Sequence, residues 1–168
     1  AKGGFQLEST SRFRLPDKLT SSVGGVVLKD GRVAAWCGAP EPSMWTFTST
    51  GQLERKWTLP DSPDLPPVAL DAGVVFAMPG RLHIAGTAGG RAAEDYRATQ
   101  TQNQQQPWKS LTAISPTQVL AVNADNQFVR VEFRATPRPQ LAELSVTNVP
   151  YMIELPPAVS GEFLFLAT

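Results

Sequence analysis

The sequence predicts an all-β fold, and three observations carry that prediction. A strand-turn-strand pattern returns about every 44 residues: Leu70 and Ile114, at matched positions, lie 44 residues apart, and Ile114 and Val159 lie 45 apart. Fifteen prolines and 13 glycines divide the chain into short apolar runs, the punctuation of many short strands joined by turns. No stretch of a dozen residues places apolar side chains at helical spacing with a cap at each end. A period of this length belongs to one four-stranded blade of a radial array. The expectation is a β-propeller or part of one, with about four blades of four antiparallel strands, forming a single domain over residues 1–168.

Each repeat divides into strands A to D, from the ring axis outward. In the first, A is Val23 to Leu28, B is Arg32 to Cys37, C is Met44 to Thr48 and D is Leu53 to Leu59. Asp30-Gly31 and Ser49-Thr50-Gly51 supply the turns, since both contain a glycine able to take positive φ. Period-2 alternation puts Trp45 and Phe47 on one face of C. In the second repeat, A is Val68 to Leu70, B is Val74 to Met78 and C is Arg81 to Ala85, entered through Pro79-Gly80. Its D strand lies within Tyr96 to Thr101, and Thr87 to Ala98 reads mostly as loop because Gly89-Gly90 interrupts it. In the third, A is Leu111 to Ser115, B is Gln118 to Asn123, C is Phe128 to Arg134 and D is Leu141 to Val146. Val129, Val131 and Phe133 alternate with Phe128, Arg130, Glu132 and Arg134 across the two faces of C.

The fourth repeat is split. Pro157 to Ser160 and Phe163 to Ala167 read as A and B, whereas Phe5 to Glu8 and Arg12 to Leu15 read as C and D of a blade. Three closures satisfy the strand edges this leaves: the chain pairs its own ends, two copies exchange them, or another polypeptide supplies the missing strands. Phe163-Leu164-Phe165-Leu166 has no polar alternation and calls for cover on both faces. Phe5, Leu7, Phe163 and Phe165 are therefore the candidate strand-exchange edge.

Composition excludes several classes of function. Fifteen basic and 15 acidic side chains cancel and form no block, so nothing marks the chain for nucleic acid. No apolar run approaches a membrane span, and residues 1–5 do not read as a signal peptide. Cys37 is the one cysteine and His83 the one histidine, so an internal disulfide is impossible and a Cys/His zinc site needs a partner.

Residues Pro156 to Thr168 resemble the opening of a blade in the pyrroloquinoline-quinone-like (quinoprotein alcohol dehydrogenase-like) propeller repeat family, and Leu65 to Leu70 is a second match. Phe47 to Trp57 is similar to the family's Asp-x-x-Thr-Gly-Lys, hydrophobic residue, Trp pattern, with Thr48 in place of the Asp and a longer Gly-to-Trp spacing. The resemblance implies a propeller and an extracytoplasmic setting. Its quinone-dependent dehydrogenases use calcium, a carboxylate base and a vicinal disulfide. One cysteine cannot form that disulfide, and no acidic cluster suggests the calcium, so no cofactor is expected.

Several residues invite a chemical reading. His83, between Leu82 and Ile84 on a C strand, needs an orienting carboxylate to act as a base, and Glu94-Asp95 reach it only by loop folding. Cys37 reads as a buried small hydrophobe rather than a nucleophile. Trp36, Trp45 and Trp57 read as filling between blades, whereas Trp108, after a glutamine-rich run, is the best candidate stacking platform. Gln104 and Gln105 within that run are candidate partner contacts through their amides. Gly86 to Arg91 lacks the Gly-Lys-Ser/Thr ending of a phosphate loop. Arg12, Arg14, Arg55, Lys56 and Arg134 alternate with Glu8, Glu54 and Glu132, which reads as cross-strand pairing on a solvated face.

The function expected is a non-catalytic scaffold that binds a protein or small ligand on its ring face, with Trp108, His83, Gln104 and Gln105 as contacts. Another chain or a second copy completes the ring. The alternatives are half of a quinone-dependent oxidoreductase or carbohydrate-active enzyme whose site forms on assembly, and a structural module that pairs through its terminal strands.

Overall fold

The computed structural model describes residues 15, 23–86, 92–97, 107–160 and 163–166. The architecture is all-β. Strands β1 (Val23–Val27), β2 (Val33–Cys37), β3 (Ser43–Phe47) and β4 (Leu53–Thr58) form a first antiparallel sheet in chain order. A second holds β5 (Val68–Leu70), β6 (Gly73–Met78), β7 (Arg81–Ala85) and β8 (Tyr96–Arg97). The third holds β9 (Trp108–Ala113), β10 (Gln118–Asn123), β11 (Gln127–Arg134) and β12 (Gln140–Asn148). Strands β13 (Ala158–Ser160) and β14 (Phe163–Phe165) pair as a two-stranded sheet.

The strand positions follow from local chemistry. Gly31 takes φ +82 in the turn between β1 and β2, as the Asp-Gly dipeptide requires. Most strands match the expected ranges within two residues. One differs more: the third repeat's A strand begins at Trp108, three residues before Leu111. The blade C and D strands expected in Phe5 to Glu8 and Arg12 to Arg14 lie outside the described residues, and Leu15 packs against the outer face of the first sheet.

Period-2 alternation decides what each sheet buries. All of β6 is buried, because the second sheet is covered on both faces. Val74, Phe76 and Met78 join Ala34, Met44 and Leu59 between the first and second sheets. Val75 and Ala77 face the other way and join Leu82, Ile84, Val119, Val129 and Val131 between the second and third. The innermost strands β1, β5 and β9 contact one another in succession, and β12 contacts β7 and β8 farther out. The first, second and third sheets are therefore stacked face to face as successive blades I, II and III, which places blade II's middle strands in the core and its outer strand at the rim.

Candidate functional site

The rim of blade II carries the most chemically organised cluster among the described residues. On β7, Leu82 and Ile84 point into the core shared with blade III, so His83 projects from the opposite face. Pairing of β7 with β8 aligns Leu82 with Tyr96 and Arg81 with Arg97. One step farther along this register, Asp95 comes opposite His83, and the two join through His83 Nδ1 and Asp95 Oδ1 at 2.7 Å. Strand pairing, rather than loop folding, brings the carboxylate to the imidazole. Both side chains are mostly buried, at 18% and 16% exposure.

A carboxylate only accepts, so at neutral imidazole the Nδ1–H donates to Asp95 and Nε2 is left as the acceptor. Among the described residues no group bonds Nε2. Arg81 Nη1 lies 3.7 Å from Asp95 Oδ2, and its Nη2 lies 3.6 Å from Asp61 Oδ2 and donates to the Pro60 carbonyl at 3.5 Å. This arginine ties the chain leaving blade I to the rim of blade II and fixes the carboxylate that fixes His83. The pair lines a groove of about 1040 Å³, together with Thr58, Pro60, Glu94, Tyr96, Arg97 and Glu143.

Beside the same groove the Tyr96 hydroxyl donates to Glu143 Oε2 at 2.5 Å and links blade II to blade III. Burial first, and then the bond to Glu143, push the Tyr96 phenol well above the ordinary tyrosine range. The folded state therefore keeps a proton that the unfolded chain releases near pH 10. Stability from this group is full below that pH and falls as pH rises through and above it, by up to about 1.4 kcal/mol per pH unit. Urea unfolding between about pH 9 and 11 should show the decline, and Tyr96→Phe should flatten it.

A second groove, of about 620 Å³, lies between blades I and II on the face that carries the A-to-B turns. Lys29 pairs with Asp71 at 2.8 Å, Arg32 with Asp30 at 2.8 Å and with Glu54 at 3.4 Å, and the Arg55 guanidinium stacks over Trp57 at 4.0 Å. The Arg32 backbone amide, with its guanidinium, holds the Asp30 carboxyl below its usual range. These exposed pairs shape a mixed-charge surface and contribute little to stability.

The other singled-out residues fall in different places. Trp108 is core: 5% exposed, it donates its indole N–H to the carbonyls of Met78 at 3.0 Å and Arg81 at 3.2 Å. That leaves no open ring face for stacking, which corrects the platform reading. Cys37 is 1% exposed beneath blade I, and Trp45 is fully buried. Trp36 meets Phe76 edge-on at 6.4 Å between blades I and II. Phe163 and Phe165 are exposed, at 71% and 58%. Gln104, Gln105, Phe5 and Leu7 lie outside the described residues. The sequence reading singled out His83 but missed Arg81, Tyr96 and Glu143 as its surroundings. The available signal was the Pro79-Gly80 turn, which sets the position of β7; the place where β8 pairs was not readable from it.

Among the described residues no group of three or more His, Cys, Asp or Glu side chains is placed to hold a metal ion. No helix among them is long and apolar enough to cross a membrane. No family model and no curated protein matches the chain. Among solved structures, the crystal structure of BamB from Moraxella catarrhalis is similar, with a TM-score of 0.63 and 14% identity over 88% of this chain. The chain is built like part of the BamB propeller. It spans 47% of that structure's chain, about half its length. The likeness is one of fold: three complete four-stranded blades and a fourth in part, stacked as in that propeller.

Proposed function

We propose that residues 1–168 form one propeller or half-propeller unit that acts as a non-catalytic scaffold, binding a protein or small ligand on its ring face. A second copy or another chain completes its ring. The observation that carries this reading is the β13–β14 sheet. All of its residues are exposed, and they include Phe163, Leu164 and Phe165. Tyr151, Met152 and Leu155, just before it, are also more than 60% exposed. A patch of this composition stabilises by being covered, and a blade's missing strands cover it while satisfying its backbone edge. The mixed-charge groove between blades I and II is the surface offered to a ligand on the ring face. The family resemblance favours an extracytoplasmic setting.

Light scattering after size exclusion tests the completion. A mass of about twice 18.1 kDa is expected for exchange between copies, with return to 18.1 kDa in the Phe163→Asp, Phe165→Asp double variant. A monomer whose β14 amides are already protected from hydrogen exchange sinks this reading in favour of self-closure. A second reading is an enzyme finished on assembly. The observation in its favour is the His83–Asp95 pair, which orients an imidazole as a general base requires.

A further inference from the structure

We infer that the groove at the rim of blade II binds the basic side chain of a partner polypeptide, with His83 Nε2 as one of its acceptors. This site is separate from the ring face and from the β13–β14 edge. Its central feature is an imidazole already held in one tautomer. Asp95 accepts a hydrogen bond from the Nδ1–H at 2.7 Å and Arg81 pairs with the other Asp95 oxygen, so Nε2 presents a lone pair with no partner among the described residues. Such preorganisation lowers the ordering cost of binding.

The ligand class follows from what else lines the groove. Glu143 accepts the Tyr96 hydroxyl with one carboxylate oxygen, and Glu94 also lines the groove. Arg81 is already engaged by Asp61 and Asp95. Arg97 is the one arginine or lysine among the described residues that line the groove, where Glu94, Asp95 and Glu143 supply three carboxylates. The surface is thus rich in acceptors and asks for a ligand rich in donors. Leu59, Pro60, Ala93 and Leu141 supply apolar walls that suit the methylene stem of a lysine or arginine.

A polypeptide is favoured over a free amine by the strand next to the site. β8 pairs with the outer edge of β7 only at Arg81 and Leu82, and β6 takes the inner edge, so among the described residues the outer edge of β7 has no strand partner at Ile84 and Ala85, just past the His83–Asp95 pair. An extended segment can lie along that edge while its basic side chain enters the groove.

His83 is the one histidine of the chain, so a single set of imidazole NMR resonances reports the site. In the intact chain near neutral pH, nitrogen correlation spectra should show the Nδ1–H tautomer; the Nε2–H tautomer overturns the inference. Titration with the peptide acetyl-Ala-Arg-Ala-amide should then move these resonances saturably, with a dissociation constant of about 1 mM or tighter. The same peptide with citrulline, isosteric but neutral, should bind about tenfold more weakly or worse. Glu143→Gln should weaken the arginine peptide several-fold, with an unchanged far-ultraviolet spectrum showing that the fold persists. No saturable shift by about 10 mM arginine peptide, or equal binding of the citrulline peptide, overturns the site. Agmatine binding as tightly as the peptide overturns the polypeptide source. None of these results depends on oligomeric state, so failure here is distinguishable from failure of ring completion.

Discussion

Trp108→Ala is expected to destabilise the chain by about 3–5 kcal/mol, the range for removing a large buried aromatic side chain. Trp108 opens β9 in blade III, is 5% exposed, and packs with Leu82, Tyr96 and Leu141 in the core between blades II and III. Its indole N–H also serves the Met78 and Arg81 carbonyls, where the β6–β7 hairpin of blade II turns. The truncation leaves a cavity and removes the donor shared by two carbonyls. For a chain of this length the melting temperature should fall by roughly 6–20 °C. Trp108→Phe separates the two contributions: it keeps most of the packing and should lose about 1–2 kcal/mol through the missing donor. Circular dichroism melts and urea titrations of both variants are the measurement. A stacking platform at the surface would instead leave stability nearly unchanged on truncation, so a loss under about 1 kcal/mol for Trp108→Ala contradicts the core assignment.

Gly73→Ala is expected to cost about 3 kcal/mol or more, although it adds one methyl group. Gly73 starts β6 immediately after the tight turn from β5, with φ +157. A Cβ there would lie 2.4 Å from the Ala85 carbonyl oxygen and 3.3 Å from the Ala85 and Gly86 carbonyl carbons. These are backbone atoms in and just after β7, the neighbour of β6, and they cannot swing aside as a side chain would. Relief requires β6 and β7 to separate at the end where their pairing begins, at Val74 and Ala85. The same displacement would reach the ring-face groove, which Gly73 and Gly86 both line. The expected signature is a lowered urea midpoint with the slope unchanged, together with shifted amide resonances at Val74 and Ala85. A stability within about 0.5 kcal/mol of the parent contradicts the close approach.

Both predictions concern positions whose importance differs from their sequence signal. Nothing in the sequence sets Gly73 apart from the other glycines, because its constraint comes from the β7 backbone lying alongside. Trp108 looked like a surface aromatic, because a glutamine-rich run precedes it and nothing local shows the carbonyls it meets. The strands were far more legible. Arg81–Ala85, Val68–Leu70 and Gln118–Asn123 are bounded as their turns and alternation indicated. Val129 and Val131 are buried on one face of β11, as their spacing required.

Within the candidate site, His83 was legible as a polar residue turned away from Leu82 and Ile84. Its carboxylate was not assigned by register, because the sequence marks the D strand of blade II weakly. Only two residues of that strand, Tyr96 and Arg97, pair with β7. Sliding such a short strand by one residue would change which side chain meets His83 and reverse the faces of all its neighbours.

Turn chemistry and a two-residue period act over a few neighbouring residues, so the chain order alone settled most of the strands, the grouping of three blades by fours and the alternating faces of β3 and β11. The contacts that build the rim site span 12 residues for His83 and Asp95, 47 for Tyr96 and Glu143, and 30 for Trp108 and Met78. Those partners met only once blades were stacked and edge strands registered. Their selection is a property of packing between sheets, where many distant side chains must fit together at the same time.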